Sequence, residues 1–207
     1  MKILSVNAGS SSLKFQLYEM PEEKVLISGL MERIGVGNSF YTIKVNGEKI
    51  KKEVELNNHE EAFETLVKEL EENNVVESLD EIEGIGHRVV QGGDYFDKTV
   101  VIDDEVLAKI DELSSLAPLH NPAAVTGIKA AKDVFPNAVQ TAVFDTAFHQ
   151  TMPKENFLYA LPISWYTDLK VRRYGAHGTS HKFVSQRMNE ILKRDDTKII
   201  TCHIGNG

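Results

Sequence analysis

Hydrophobic and polar positions alternate from the first residues of the chain. An apolar run reaches Gly9, a Ser10-Ser11-Ser12 turn follows, and then Leu13, Phe15 and Leu17 fall on one face while Lys14, Gln16 and Tyr18 fall on the other. This period of two predicts a β-hairpin. A further strand is expected over 24–33, and a second hairpin over 40–56 is closed by Asn46-Gly47, a strong signal for a two-residue turn. The period then changes. Phe63, Leu66, Val67 and Leu70 recur at i, i+3, i+4 and i+7, the buried stripe of a helix from about 60 to 72. Residues 84–90 read as a buried strand ending at Gly92-Gly93. A helix capped by Asp103 is expected to bury Val106, Leu107, Ile110 and Leu113. Another starts at Asn121-Pro122, with proline in a favoured first-turn position, and stops before Pro136. Residues 138–145 form the next strand. A last helix over 179–193 is expected to bury Phe183, Val184, Met188 and Ile191, and a last strand runs over 198–204.

Antiparallel strands followed by alternating helix and strand indicate an α/β protein with a mixed sheet flanked by helices. The stretch 146–162 has two prolines and no clear period, so a domain boundary is expected near 150, separating 1–150 from 151–207. The second unit, at fewer than 60 residues, is too short to bury an independent core. The last nine residues, 199–207, repeat the opening pattern of an apolar strand running into a Gly and Asn turn.

Composition narrows the class. The 207 residues are 42% hydrophobic and 26% charged, as in ordinary globular proteins. No apolar run is long enough to span a membrane, and the start lacks the basic region and cleavage site of a signal peptide, so a cytoplasmic protein is expected. The single cysteine, Cys202, excludes an intrachain disulfide, and its place in a predicted strand suggests a buried thiol. A net charge of −8 argues against nonspecific nucleic-acid binding. Any phosphate must be held by a few local cations.

Candidate chemistry lies at strand ends and loops. The Gly9–Ser12 turn and Lys14 are the parts of a phosphate cradle, and equally of a solvated turn. Arg88, in the apolar run 86–90, needs either an anionic ligand or a structural ion-pair partner. The loop 117–122 presents Leu119 and His120. Asp145 ends an apolar strand as a functional carboxylate or as a helix cap. His177 and His181 are four apart, yet Gly178, Thr179 and Ser180 read as a helix start between them. That favours an anion site at a helix N-terminus over a zinc site, for which no third ligand is evident.

Taken in order, six segments resemble the motifs of acetate kinases: Asn7-Ala-Gly-Ser-Ser-Ser-Leu-Lys14, His87-Arg-Val-Val90, Ala117-Pro-Leu-His-Asn-Pro122, Phe144-Asp-Thr-Ala-Phe-His149, His177-Gly-Thr-Ser-His181 and His203-Ile-Gly-Asn-Gly207. Two positions depart from the pattern. Gln91 stands where many members have histidine, and Ala176 where many have phenylalanine.

The resemblance implies an actin-like fold, shared with sugar kinases and the Hsp70 ATPase, in which two duplicated domains hold ATP between them. Gly9 and Gly205 then look like paired phosphate loops. Family members are roughly twice this length, so the chain reads as the N-terminal half of such an enzyme. The implied reaction is reversible transfer of the γ-phosphoryl group of ATP to acetate, with Mg²⁺, giving acetyl phosphate and ADP. By resemblance the catalytic residues are Arg88, Asp145 and His177. Arg88, Val90, Leu119 and His120 bind the substrate, while Ser10, Ser12, Lys14, His203, Gly205, Asn206 and Gly207 bind phosphate or ATP. Asn7 orders the metal, and a homodimer is expected for the full-length member. The small Ala176 beside His177 suggests room for propionate. A second catalytic arginine and an acidic metal ligand known in the family have no counterpart in these residues. The alternatives are a non-catalytic anion-binding or interaction fragment, and a propionate or short-chain acyl kinase. A P-loop kinase is disfavoured because no G-x-x-x-x-G-K-[ST] occurs.

Overall fold

Strand formation follows the alternation closely. In the computed structural model, which describes residues 1–205, the first hairpin is β1 (Lys2–Gly9) and β2 (Ser12–Glu19). β3 (Lys24–Glu32), β4 (Phe40–Val45) and β5 (Glu48–Glu53) continue it as an antiparallel meander. At the β4–β5 turn Asn46 and Gly47 both have positive φ, 52° and 81°, as a type I′ turn requires. β6 (Ile82–Val89), the two-residue β7 (Val100–Val101) and β8 (Val139–Phe144) complete one eight-stranded sheet of order β5-β4-β3-β2-β1-β6-β8-β7. β1, β6 and β8 are parallel to one another, so the sheet is mixed, as expected.

Helices α1 (His59–Glu72), α2 (Asp104–Glu112) and α3 (Asn121–Val134) cover one face. Their starts obey local chemistry. The Asn58 side chain accepts from the Glu61 N–H, and the Asp103 side chain accepts from the Val106 N–H. α3 serves two cores. Ala130 and Ala131 pack with β1–β5 and α1, while Ala124, Val125 and Ile128 pack with β6, β8 and α2. A methyl at Gly127 would lie 2.6 Å from the Ala8 Cβ, so α3 sits directly on β1. On the opposite sheet face Ser5, Lys14 and Lys44 are exposed, and Asn7, Gln16 and Arg88 half-buried.

Beyond β8 the chain forms short helices, α4 (Lys154–Phe157) and α5 (Ser164–Leu169), then α6 (Gly178–Leu192). Here three expectations are corrected. Residues 198–204 form no strand, because no neighbouring backbone pairs with them, and Ile200 and Ile204 are 93% and 88% exposed. The α6 stripe Phe183, Val184, Met188 and Ile191 is exposed, not buried, since the helix buries only Gly178 at its start against the rest of the fold. Cys202 is exposed, for the same reason as its neighbours. Among the described residues no helix is long and apolar enough to cross a membrane.

Candidate functional site

Sheet register assembles the site. Asn7 pairs with Lys14, Val6 with His87 and Arg88 with Val143, so Lys14, Asn7, Arg88 and Val143 form one row across β2, β1, β6 and β8. The row lies on the face away from α1–α3. It floors a cavity of about 800 Å³ whose other wall is Asp145, His177, Ser180 and His203. Asn7, Lys14 and Arg88 also border an adjoining cavity of about 220 Å³ with Ser12, Val90 and His120. A third hollow, of about 680 Å³, is lined by Gly9, Ser10, Ser12, His59, Leu119 and His120. The phosphate-type turn, the arginine and the histidine loop therefore share one continuous groove.

Arg88 and Asp145 interlock at its centre. Arg88 Nε donates to both carboxylate oxygens at 3.1 and 3.2 Å, and Nη2 donates to Oδ2 at 2.7 Å. Hydrogen bonding to Asp145 outweighs burial and lifts the guanidinium above its ordinary value, so the cation is permanent. Asp145 is 2% exposed and caps no helix with its side chain. The structural ion pair and the cavity wall are thus the same feature: Arg88 is anchored through one edge while its side chain remains 38% accessible.

His177 stands 3.8 Å from Asp145, Nδ1 to Oδ2, beyond hydrogen-bond range. It occupies the left-handed region, φ 52°, a strained conformation for a residue with a Cβ. The next residue explains how it is held. Gly178 N–H donates to the Asp145 carbonyl at 2.8 Å, and a Cβ there would come within 2.3 Å of that oxygen. The His203 ring stacks on His177 at 4.3 Å and accepts or donates at Nδ1 to Ser180 Oγ, 3.1 Å. His181 engages Thr201 Oγ1 instead, at 2.6 Å. Among the described residues no three His, Cys, Asp or Glu side chains gather as metal ligands.

The Gly92-Gly93 bend after β6 is braced by residues that sequence reasoning missed. Asn121, fully buried, accepts from the Gln91 N–H at 3.0 Å and donates to the Gln91 carbonyl at 2.9 Å. Thr146 Oγ1 accepts from Gly92 N–H at 3.0 Å, and the Gln91 side chain accepts from Gly93 N–H at 2.9 Å. Gln91 is thus a buried brace. Asn121 falls in the 117–122 segment, but its place there marks a helix start before Pro122 and says nothing of a partner 30 residues back.

Not every expected residue is brought in. Leu119 is 77% exposed and lines the outer hollow, not the space beside Arg88 and Val90. Ala176 is exposed and outside the cavity walls; its carbonyl meets His149 Nε2 at 3.1 Å. Gly205 is exposed and also outside the walls, and Asn206 and Gly207 lie outside the described residues. Asn7, Ser10, Ser12, Lys14, Val90, His120 and His203 all line the groove.

Known proteins share this arrangement. The chain is 55% identical over its whole length to an acetate kinase of Macrococcus caseolyticus (strain JCSC5402), and 58% identical to one of Bacillus mycoides (strain KBAB4), covering 52% of each. It therefore spans about half the length of the curated relatives it matches. A crystal structure of Porphyromonas gingivalis acetate kinase superposes with TM-score 0.89 at 45% identity, over 94% of this chain and 49% of that one. A Francisella tularensis propionate kinase gives 0.88 at 45% identity, over 93% and 49%. The mixed sheet with helices is accordingly of the actin-like type. Because residues 2–207 match the Acetokinase family, the ordered motifs and the groove they build have a common origin, and the chain belongs to that family.

Proposed function

We propose that this chain supplies the carboxylate- and phosphate-handling part of an acetate kinase, which transfers the γ-phosphoryl group of ATP to acetate and releases acetyl phosphate and ADP. The observation that carries this reading is the row Lys14, Asn7 and Arg88 facing His177 across one cavity, with Arg88 locked by Asp145. Acetate is already ionised at neutral pH, so its nucleophilic oxygen needs no general base. The barrier lies in bringing two anions together and in the charge on the group in flight. Fixed cations and aimed donors answer both needs.

In this reading Arg88 presents its remaining N–H groups to the acetate carboxylate or the transferring phosphoryl oxygens, and Asp145 keeps it from swinging away. His177 donates to the phosphoryl group from the opposite wall. Lys14 and the hydroxyls of Ser10 and Ser12 hold the phosphates of ATP, with His203, Gly205, Asn206 and Gly207 as the second phosphate loop. Val90 and His120 border the smaller cavity, which suits a short acyl group, and Leu119 meets the groove at its outer hollow. Mg²⁺ arrives as part of the substrate Mg·ATP, where it neutralises phosphate charge. Such an ion needs one or two protein oxygens and not a full cage, and the Asn7 amide oxygen in the row fits that need. Family membership supports a cytoplasmic homodimer; with a division at 150, the first unit supplies the floor of the groove through Lys14, Asn7 and Arg88, and the second supplies His177, Ser180 and His203.

A coupled assay for acetyl phosphate, with acetate and propionate offered in parallel, tests the reading on a chain carried to the length of its relatives. Saturable acetyl phosphate formation is the expected result. Turnover of propionate at higher kcat/KM would reassign the substrate. Absence of turnover by a folded protein would leave the anion-binding reading.

A further inference from the structure

The Ser10-Ser11 turn is held from behind by a histidine that none of the motifs includes. Gly9 and Ser12 pair across the hairpin, which leaves a two-residue loop. Loops of that length match the strand twist when the first loop residue has positive φ, yet neither Ser10 nor Ser11 does. The turn thus departs from its locally preferred geometry and depends on outside contacts. Two are present. Ile34 N–H donates to the Ser11 carbonyl at 3.0 Å, and His59 Nε2 lies 2.8 Å from the Gly9 carbonyl oxygen. A carbonyl can only accept, so the proton sits on His59 Nε2. His59 is the first residue of α1, 7% exposed, and lines the same hollow as Ser10, Ser12 and His120.

We propose that His59 is a positioning residue for the phosphate-binding turn: its Nε2–H fixes the Gly9 carbonyl and so sets the aim of the Ser10 and Ser12 hydroxyls. This rests on reading that turn as a phosphate site. A residue that merely docks α1 would change stability and leave the anion affinity of the folded chain alone.

The test uses the ¹⁵N-labelled 207-residue chain with inorganic pyrophosphate as probe. Long-range ¹H–¹⁵N spectra should show His59 as the Nε2–H tautomer, and pyrophosphate should shift the amides of residues 10–14 in a saturable way. His59→Met, which keeps bulk and loses the donor, should weaken that binding about tenfold, the worth of one hydrogen bond. His59→Gln, whose amide can reach the same carbonyl, should recover it to within about threefold. Equal affinities in all three proteins, or equal losses in both variants, would overturn the role of His59 while leaving the phosphate site intact. A wild-type chain whose residues 10–14 ignore pyrophosphate would instead overturn the phosphate reading, and the proposal with it. Should His59→Met not fold, the wild-type tautomer decides: an Nδ1–H imidazole makes the contact to Gly9 impossible and overturns the proposal.

Discussion

The backbone of Gly178 rests on the carbonyl of Asp145, N–H to oxygen at 2.8 Å, in a space that a single methyl group would close. This contact links the start of α6 to the end of β8 and puts the strained His177 next to the Arg88–Asp145 pair. Gly178→Ala should therefore displace the first turn of α6 and cost about 1–3 kcal/mol of stability, as overpacking does. Amide shifts that change strongly at 145 and 176–181 but not in β1–β5 are the expected signature. A variant with wild-type stability and unshifted His177 would show that the contact is not restrictive.

The ion pair makes separable predictions in a chain carried to the length of its relatives. Arg88→Ala removes a donor to developing charge and should lower kcat/KM by about 10² or more. Asp145→Asn keeps the shape but releases the guanidinium, so it too should lower kcat/KM, with a visible change in the Arg88 side-chain ¹⁵N signals. Near-normal turnover in a folded Arg88→Ala protein would sink the assignment.

His87 predicts a pH dependence. It is 2% exposed, hydrogen-bonded through Nε2 to Gln140 Oε1 at 2.7 Å, and burial pushes its pKa down to about 4. Between that value and the unfolded value of about 6.5 the unfolded chain binds more protons, so stability rises with pH across this window. It is full above pH 6.5 and is lost as pH falls toward 4. From this group alone the chain should be about 2 kcal/mol less stable at pH 5 than at pH 7. Urea unfolding of wild type and His87→Gln at the two values checks this; equal pH slopes in both proteins would refute it.

A second buried polar group sits between the sheet and α1. Glu69, 1% exposed, accepts from Lys52 Nζ at 2.7 Å, from the Tyr41 hydroxyl, and from Asn73 Nδ2 at 3.1 Å. Burial alone would raise its carboxyl, but the hydrogen bonds from Lys52 and Tyr41 prevail and hold it below the ordinary range, while burial helps push Tyr41 up to about 12. Lys52→Met leaves a buried carboxylate short of its cation and should cost about 2–4 kcal/mol. The double variant with Glu69→Gln should be less damaging than the sum, and additivity of the two losses would mean the groups are not coupled.

Much of this was legible in the sequence, and the failures share one cause. Alternation in residues 2–19 gave the hairpin and its faces because each residue answers to a neighbour two positions away. Arg88 stood out as a cation in an apolar strand, although its partner Asp145, 57 residues on, could not be chosen by spacing. The stripe Phe183, Val184, Met188 and Ile191 has the period of a buried face yet is exposed, since periodicity reports which residues share a face and not whether anything covers it. The strand expected at 198–204 failed in the same way: apolar residues favour a strand, but only a second backbone makes one. His59 and Asn121 were missed because a single polar residue at a helix start has the same local pattern whether or not a distant carbonyl depends on it.

The one-sided covering of the sheet has a consequence for the fate of a phosphoryl group. With α1, α2 and α3 all on one face, the row of Lys14, Asn7 and Arg88 faces, on the other, a cavity walled only by Asp145 and the segment from His177 to His203. Under the proposed function, an acyl phosphate or a group in transit in that open cavity would meet water as a competing acceptor, and hydrolysis would compete with transfer. In that reading these 205 described residues are an anvil: they would grip and neutralise, while productive transfer would call for a further surface that keeps the groove dry.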